Sequence, residues 1–146
     1  INIPDNVTSI GNDAFLNCRS LTEISIPDSV TSIGDYAFSG CTGLTDVTIG
    51  SGITSIGSSA FNGCTGLTEI TISDSVTNIG GAAFKGCTGL LTVIVEPTTP
   101  PTLGYSAFTN NASGRKIYVP GASLNAYKTA TYWSDYASDI LPISSL

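Results

Sequence analysis

The sequence predicts an α/β repeat solenoid: right-handed coils of 23 residues, each with two short parallel strands and a short helical turn, closed by a C-terminal helical cap. Three observations carry this expectation. Isoleucine returns every 23 residues at Ile3, Ile26, Ile49 and Ile72. Within each unit a stretch such as Ile24-Ser25-Ile26 alternates with the period of a half-buried strand. Beyond Pro120 the repetition stops and large aromatic residues gather.

The elements follow in chain order. Read from Leu21, the unit is L-x-x-I-x-I-P-x-x-V-x-x-I-G-x-x-A-F-x-x-C-x-x. Leu21–Ile26 is the first strand, and Pro27 ends its ladder by removing a backbone donor. Thr31–Ile33 is a second short strand, closed by Gly34. Asp35–Gly40, with Ala37 and Phe38 inward, reads as one irregular helical turn, and Thr42-Gly43 returns the chain. A single coil of this length encloses no core, so its apolar side chains must stack on the next coil, about 4.8 Å away.

A fifth coil resumes one residue late at Leu103-Gly104, Ala107-Phe108, Ile117 and Val119-Pro120, after a loop holding Pro97, Pro100 and Pro101. Asn111 stands where the cysteine belongs. Residues 1–119 are therefore assigned to about five coils and 120–146 to a cap of the same domain. Ser123 is placed as N-cap of a helix over Ser123–Thr129, and Tyr132, Trp133, Tyr136 and Ile140 are expected to cover the open end of the core. Ile1–Ile3 starts inside a strand with no cap. That pattern suggests a fragment or processed form, whose bare edge is available for self-association.

Composition narrows the function. Five basic residues against eleven acidic ones leave a net charge of −6, the wrong sign for a phosphate backbone, so no nucleic-acid partner is expected. The absence of histidine rules out Ser-His-Asp triads, Cys-His pairs and histidine metal sites. A mean hydropathy of +0.26 is too apolar for a disordered chain, yet no run is long enough to span a membrane. Neither a cofactor nor a metal is called for.

The outward strand positions are the candidate binding face. Thr22, Thr45 and Thr68, together with Ser25, Thr48 and Thr71, form hydroxyl columns, and Glu23, Asp46 and Glu69 form a carboxylate column. Hydroxyl columns suit glycans or ice, although β-branched threonine also simply suits an exposed strand. Carboxylates about 5 Å apart have the spacing of retaining glycosidases, but an open face offers nothing to desolvate one of them, so catalysis is not expected. Weak calcium binding or a plain solvated face remains. At Leu91 and Ile94 the hydroxyls give way to apolar side chains. These either form an outward patch beside the proline-rich loop and Tyr105 or pack beneath that loop or the cap. Cys18, Cys41, Cys64 and Cys87 occupy one coil position, and parallel Cβ vectors favour a buried column of thiols over disulfides or zinc. Asn6-Val7-Thr8 and Asn111-Ala112-Ser113 match the N-glycosylation pattern, and Asp28-Ser29-Val30 and Asp74-Ser75-Val76 match a short O-glycosylation acceptor.

The unit Leu21–Gly43, with I-P-D-S-V-T-S-I-G-D-Y-A-F-S-G-C at its centre, resembles the BspA-like leucine-rich repeats, and the resemblance covers nearly the whole chain. Ile117–Lys128 and Trp133–Tyr136 resemble the C-terminal module of bacterial members, while Gly50 and Ser73 depart from the motif proline. The resemblance implies a right-handed leucine-rich-repeat solenoid, secreted or at a bacterial cell surface. It also implies adhesion to a host matrix or cell-surface protein, or to a glycan. The expected function is thus a non-enzymatic, adhesin-type binding module, with a structural stalk that presents another domain as the alternative.

Overall fold

A computed structural model describes all 146 residues. It contains eleven strands: β1 (Ser9–Ile10), β2 (Glu23–Ile26), β3 (Ser32–Ile33), β4 (Asp46–Ile49), β5 (Ser55–Ile56), β6 (Glu69–Ile72), β7 (Asn78–Ile79), β8 (Thr92–Val95), β9 (Thr102–Leu103), β10 (Lys116–Val119) and β11 (Ile140–Pro142). The odd-numbered strands from β1 to β9 form one continuous parallel sheet. The longer strands form two separate parallel groups, β2-β4 and β6-β8-β10-β11. Equivalent residues pair from coil to coil, as in Ile10 with Ile33 and Ile24 with Val47. The extra residue ahead of the fifth coil is absorbed before β9, where Asn78 pairs with Thr102.

The expected helical turn is not a helix. Tyr36, Ser59 and Ala82 hold φ of 58°, 56° and 56°, and Gly40, Gly63 and Gly86 lie at φ 73–74°. Left-handed residues at both places cannot continue a right-handed helix. The segment instead splits its amides between two kinds of partner. Ala37 N–H and Ser39 N–H close local turns on Gly34 O and Tyr36 O, while Tyr36 N–H and Phe38 N–H donate to Ser58 O and Ala60 O of the next coil. The turn is thereby a third inter-coil ladder. Stacked turns bring the phenylalanines face to face, with ring centroids 5.0–5.5 Å apart from Phe15 to Phe108. The neighbouring glycine column permits the close approach, since a Cβ on Gly57 would lie 2.5 Å from the carbonyl carbon of Gly34.

The core is one cluster running from Ile3 to Ile140. At its C-terminal end Trp133 stands 5.9 Å from Phe108, and Tyr136 meets the same ring edge-on at 5.7 Å. Helix α1 (Leu124–Thr129) lays Tyr127 against Trp133, and β11 adds a strand to β10. Tyr127 O–H donates to Pro97 O and Trp133 Nε1–H to Pro101 O, so the proline-rich loop is tied beneath this segment. The expectation for Ser123 is corrected here: its hydroxyl makes no cap bond to α1 and donates instead to Thr98 O at 2.6 Å. At φ −103° and ψ 3° Ser123 lies outside the extended conformation that lets an N-cap oxygen accept from the first helical amides.

Candidate binding face

Strand alternation sends every second residue of the long strands outward and lines these residues up across coils. Glu23 pairs in register with Asp46, Ser25 with Thr48, Glu69 with Thr92, and Thr71 with Ile94. Thr22, Thr45, Thr68 and Leu91 precede the strands, and the amide of each follower donates to the carbonyl before it where the ladder is intact. Of these face residues Thr71, Thr92 and Ile94 are half-buried, and the others named are exposed. Leu91 is 49% exposed, which settles its direction. Ile94 sits between Thr71 and Tyr118. Tyr105 is not part of that patch: it follows β9 and packs edge-on against Tyr132 at 5.7 Å.

Sequence reading overlooked the fifth coil's share of the face. Lys116 is the register partner of Thr92, and Tyr118 that of Ile94 and Leu141. Ile117 and Val119 were legible as inward, so alternation alone points Lys116 and Tyr118 outward. The face therefore runs from carboxylates and hydroxyls in the early coils to Leu91, Ile94 and Tyr118 near the cap. Arg115 continues the Thr22 column but is buried. Its guanidinium donates to Phe108 O and Asn111 Oδ1, pairs with Asp139 at 2.8 Å and lies over the Tyr136 ring. It belongs to the closure of the core.

Acidic residues of the early repeats differ in what they touch. Asp28 accepts from Ser51 N–H at 2.8 Å and Asp35 from Ser58 N–H at 2.9 Å, so these carboxylates hold the next coil's backbone. Glu23, Asp46 and Glu69 hold nothing of the kind. Asp46 accepts from its neighbour Thr45, and the molecule's two ion pairs both involve Asp139. No group of carboxylates and thiols converges on a metal position.

The four thiols are free. Cys41, Cys64 and Cys87 are fully buried, and each donates its S–H to the phenylalanine carbonyl one coil back, at 3.0–3.1 Å. Asn111 performs the same task in the fifth coil, with Nδ2 donating to Phe84 O at 2.9 Å. Burial pushes the Cys41 thiol up to about 11, and the neighbouring Cys87 thiol together with burial pushes Cys64 up as well. Cys41 and Cys64 are therefore protonated, inert thiols within the core. Three of the four glycosylation patterns are likewise occupied: Ser29 Oγ is buried, Ser75 Oγ is bonded to Ile53 O, and Asn111 is engaged as described, while Asn6 is exposed.

Residues 1–132 match six copies of the BspA type leucine-rich repeat region. The chain belongs to this family. Among solved structures, this BspA-type chain is similar to a leucine-rich cell surface protein of Faecalibacterium prausnitzii, at 35% identity over 90% of its length with a TM-score of 0.78. It is similar to a leucine-rich repeat protein of T. pallidum, at 32% identity over 78% with a TM-score of 0.72. A leucine-rich repeat protein of Bacteroides ovatus aligns at 27% identity over 98%, with a TM-score of 0.69. The chain spans 35% of the Faecalibacterium protein, 52% of the T. pallidum protein and 42% of the B. ovatus protein. Among curated proteins none matches it. No helix is long and apolar enough to cross a membrane.

Proposed function

We propose that this chain is a non-enzymatic, adhesin-type module of a bacterial surface protein, secreted or held at the cell surface, which binds a host matrix or cell-surface protein or a glycan through its long-strand face. One observation carries the reading. Glu23, Asp46 and Glu69 make no inter-coil bond, whereas Asp28 and Asp35 of the same repeats do. Side chains spared from holding the fold are free to hold a partner. The cell surface protein of Faecalibacterium prausnitzii supports the location. The right-handed winding usual for parallel crossovers, and folding of 1–119 with 120–146 as one unit, belong to the same reading.

The spacer alternative draws on the near-identity of the early coils. A spacer has no need for the change to Leu91, Ile94 and Tyr118 on one face only. An array of matrix proteins and glycans, probed with the wild type and with Glu23→Gln, Asp46→Asn and Glu69→Gln combined, separates the two. Binding that weakens about tenfold or more in the triple variant supports adhesion. Uniform absence of binding by a folded wild type points to the spacer.

A further inference from the structure

The long-strand ladder is interrupted once, between β4 and β6, while the short-strand sheet runs through the same coils unbroken. At that point Val47 and Ile49 are half-buried. Every other inward residue of β2, β6, β8 and β10 is no more than 2% exposed. Solvent thus reaches two core side chains through the gap.

The sequence accounts for the opening. Gly50 and Gly52 follow β4, and a Cβ at either would come within 2.6 Å or 2.0 Å of the carbonyl oxygens of Ile26 and Asp28. Two glycines draw this coil onto the one before it more closely than side chains permit. On the other side the contact is made by hydroxyls, with Ser73 Oγ donating to Gly50 O at 3.1 Å and Ser75 Oγ to Ile53 O at 2.5 Å. Tight packing behind and side-chain spacers ahead leave β4 and β6 unpaired.

We infer that this gap seats a lysine or arginine side chain of an extended polypeptide partner. An amphipathic cation wants an apolar wall for its stem and anions for its head. Val47 and Ile49 supply the first, and Asp46 and Glu69, on the two lips and without an ion pair, supply the second. The apolar patch fixes the rest of the partner. From the gap to β8, which carries Ile94, is about 7 Å, the separation of alternate residues in an extended chain. The recognised element is therefore a cation, any residue, then an apolar side chain. This rests on the long-strand face being the binding face, and it favours polypeptide over glycan.

The test uses the 146-residue chain and a fluorescein-labelled Thr-Arg-Thr-Leu-Thr peptide. A second peptide carries citrulline, which keeps the shape of arginine without its charge. Fluorescence polarisation should show the arginine peptide binding about tenfold more tightly than the citrulline one. That advantage should vanish in Asp46→Asn combined with Glu69→Gln, and Ile94→Thr should weaken both peptides alike. Equal affinity for the two peptides, no binding of the arginine peptide, or an unchanged preference in the double variant overturns the seat. The matrix and glycan array run beside it keeps the two readings apart. Array binding that survives in the double variant, with no arginine preference, sinks the seat and leaves adhesion standing. An arginine preference with an empty array sinks adhesion to those surfaces and leaves the seat.

Discussion

Four positions in four coils carry cysteine, and the fifth carries asparagine. From the second coil on, what they share is a donor aimed at a phenylalanine carbonyl of the previous coil: Cys41, Cys64, Cys87 and Asn111 each make this bond. The thiol is retained because it combines small apolar volume with one weak donor. Cys64→Ser keeps a donor and Cys64→Ala removes it, so urea unfolding should find the serine variant more stable, by about 1 kcal/mol. A burial-only role would reverse that order, because serine is costlier to bury than alanine. Thiol titration adds a second check. Cys18, half-buried on the first coil, should react in the native protein, and Cys41, Cys64 and Cys87 only on unfolding. Fewer than four thiols after denaturation without reductant would contradict the free-thiol column.

The three ladders of each coil differ in how far the sequence disclosed them. Both strands were legible, because alternation and the Ile-Gly stop fix them locally. The third ladder was not. An Ala-Phe pair followed by Gly-Cys has the spacing of a helical turn, and only the left-handed φ of Tyr36 and Gly40 turns alternate amides toward the next coil. The interruption between β4 and β6 was also hidden, since it depends on how closely Gly50 and Gly52 approach a neighbouring backbone. Alternation alone points Glu23, Ser25, Asp46, Thr48, Glu69 and Thr71 outward, as the strand register has them, but it left the direction of Leu91 and Ile94 open, and Tyr105 does not join them. Hydrogen exchange checks the interruption. Thr45 N–H and Leu91 N–H donate to carbonyls of the preceding coil at 2.9 Å, and Thr68 N–H has no such bond. Thr68 should exchange at least about tenfold faster than either. Matching rates would mean that the ladder is continuous.

Across the whole molecule, core continuity links stability to protonation. Cys41 is pushed from 9.0 up to about 11 by burial, and Cys64 and Tyr127 are also raised. The folded state therefore keeps protons that the unfolded chain releases. This contribution is complete below about pH 9, and it is lost as pH rises through the folded value near 11. Melting temperature should hold steady from about pH 7 to 8.5 and fall by about 5 °C or more by pH 10.5. A flat profile to pH 10.5 would contradict burial of the thiol column. The proposed function rests at this scale on one division of labour, in which backbone ladders and turns hold the coils together and the outward side chains of the long strands would be left for a partner. Hydrogen-exchange footprinting of the chain bound to a partner recovered from the matrix array tests that division most directly. Protection confined to Thr45–Ile49, Thr68–Ile72 and Leu91–Val95 is the predicted result. Protection confined to the short strands or the turns, with the long-strand amides unchanged, would contradict it.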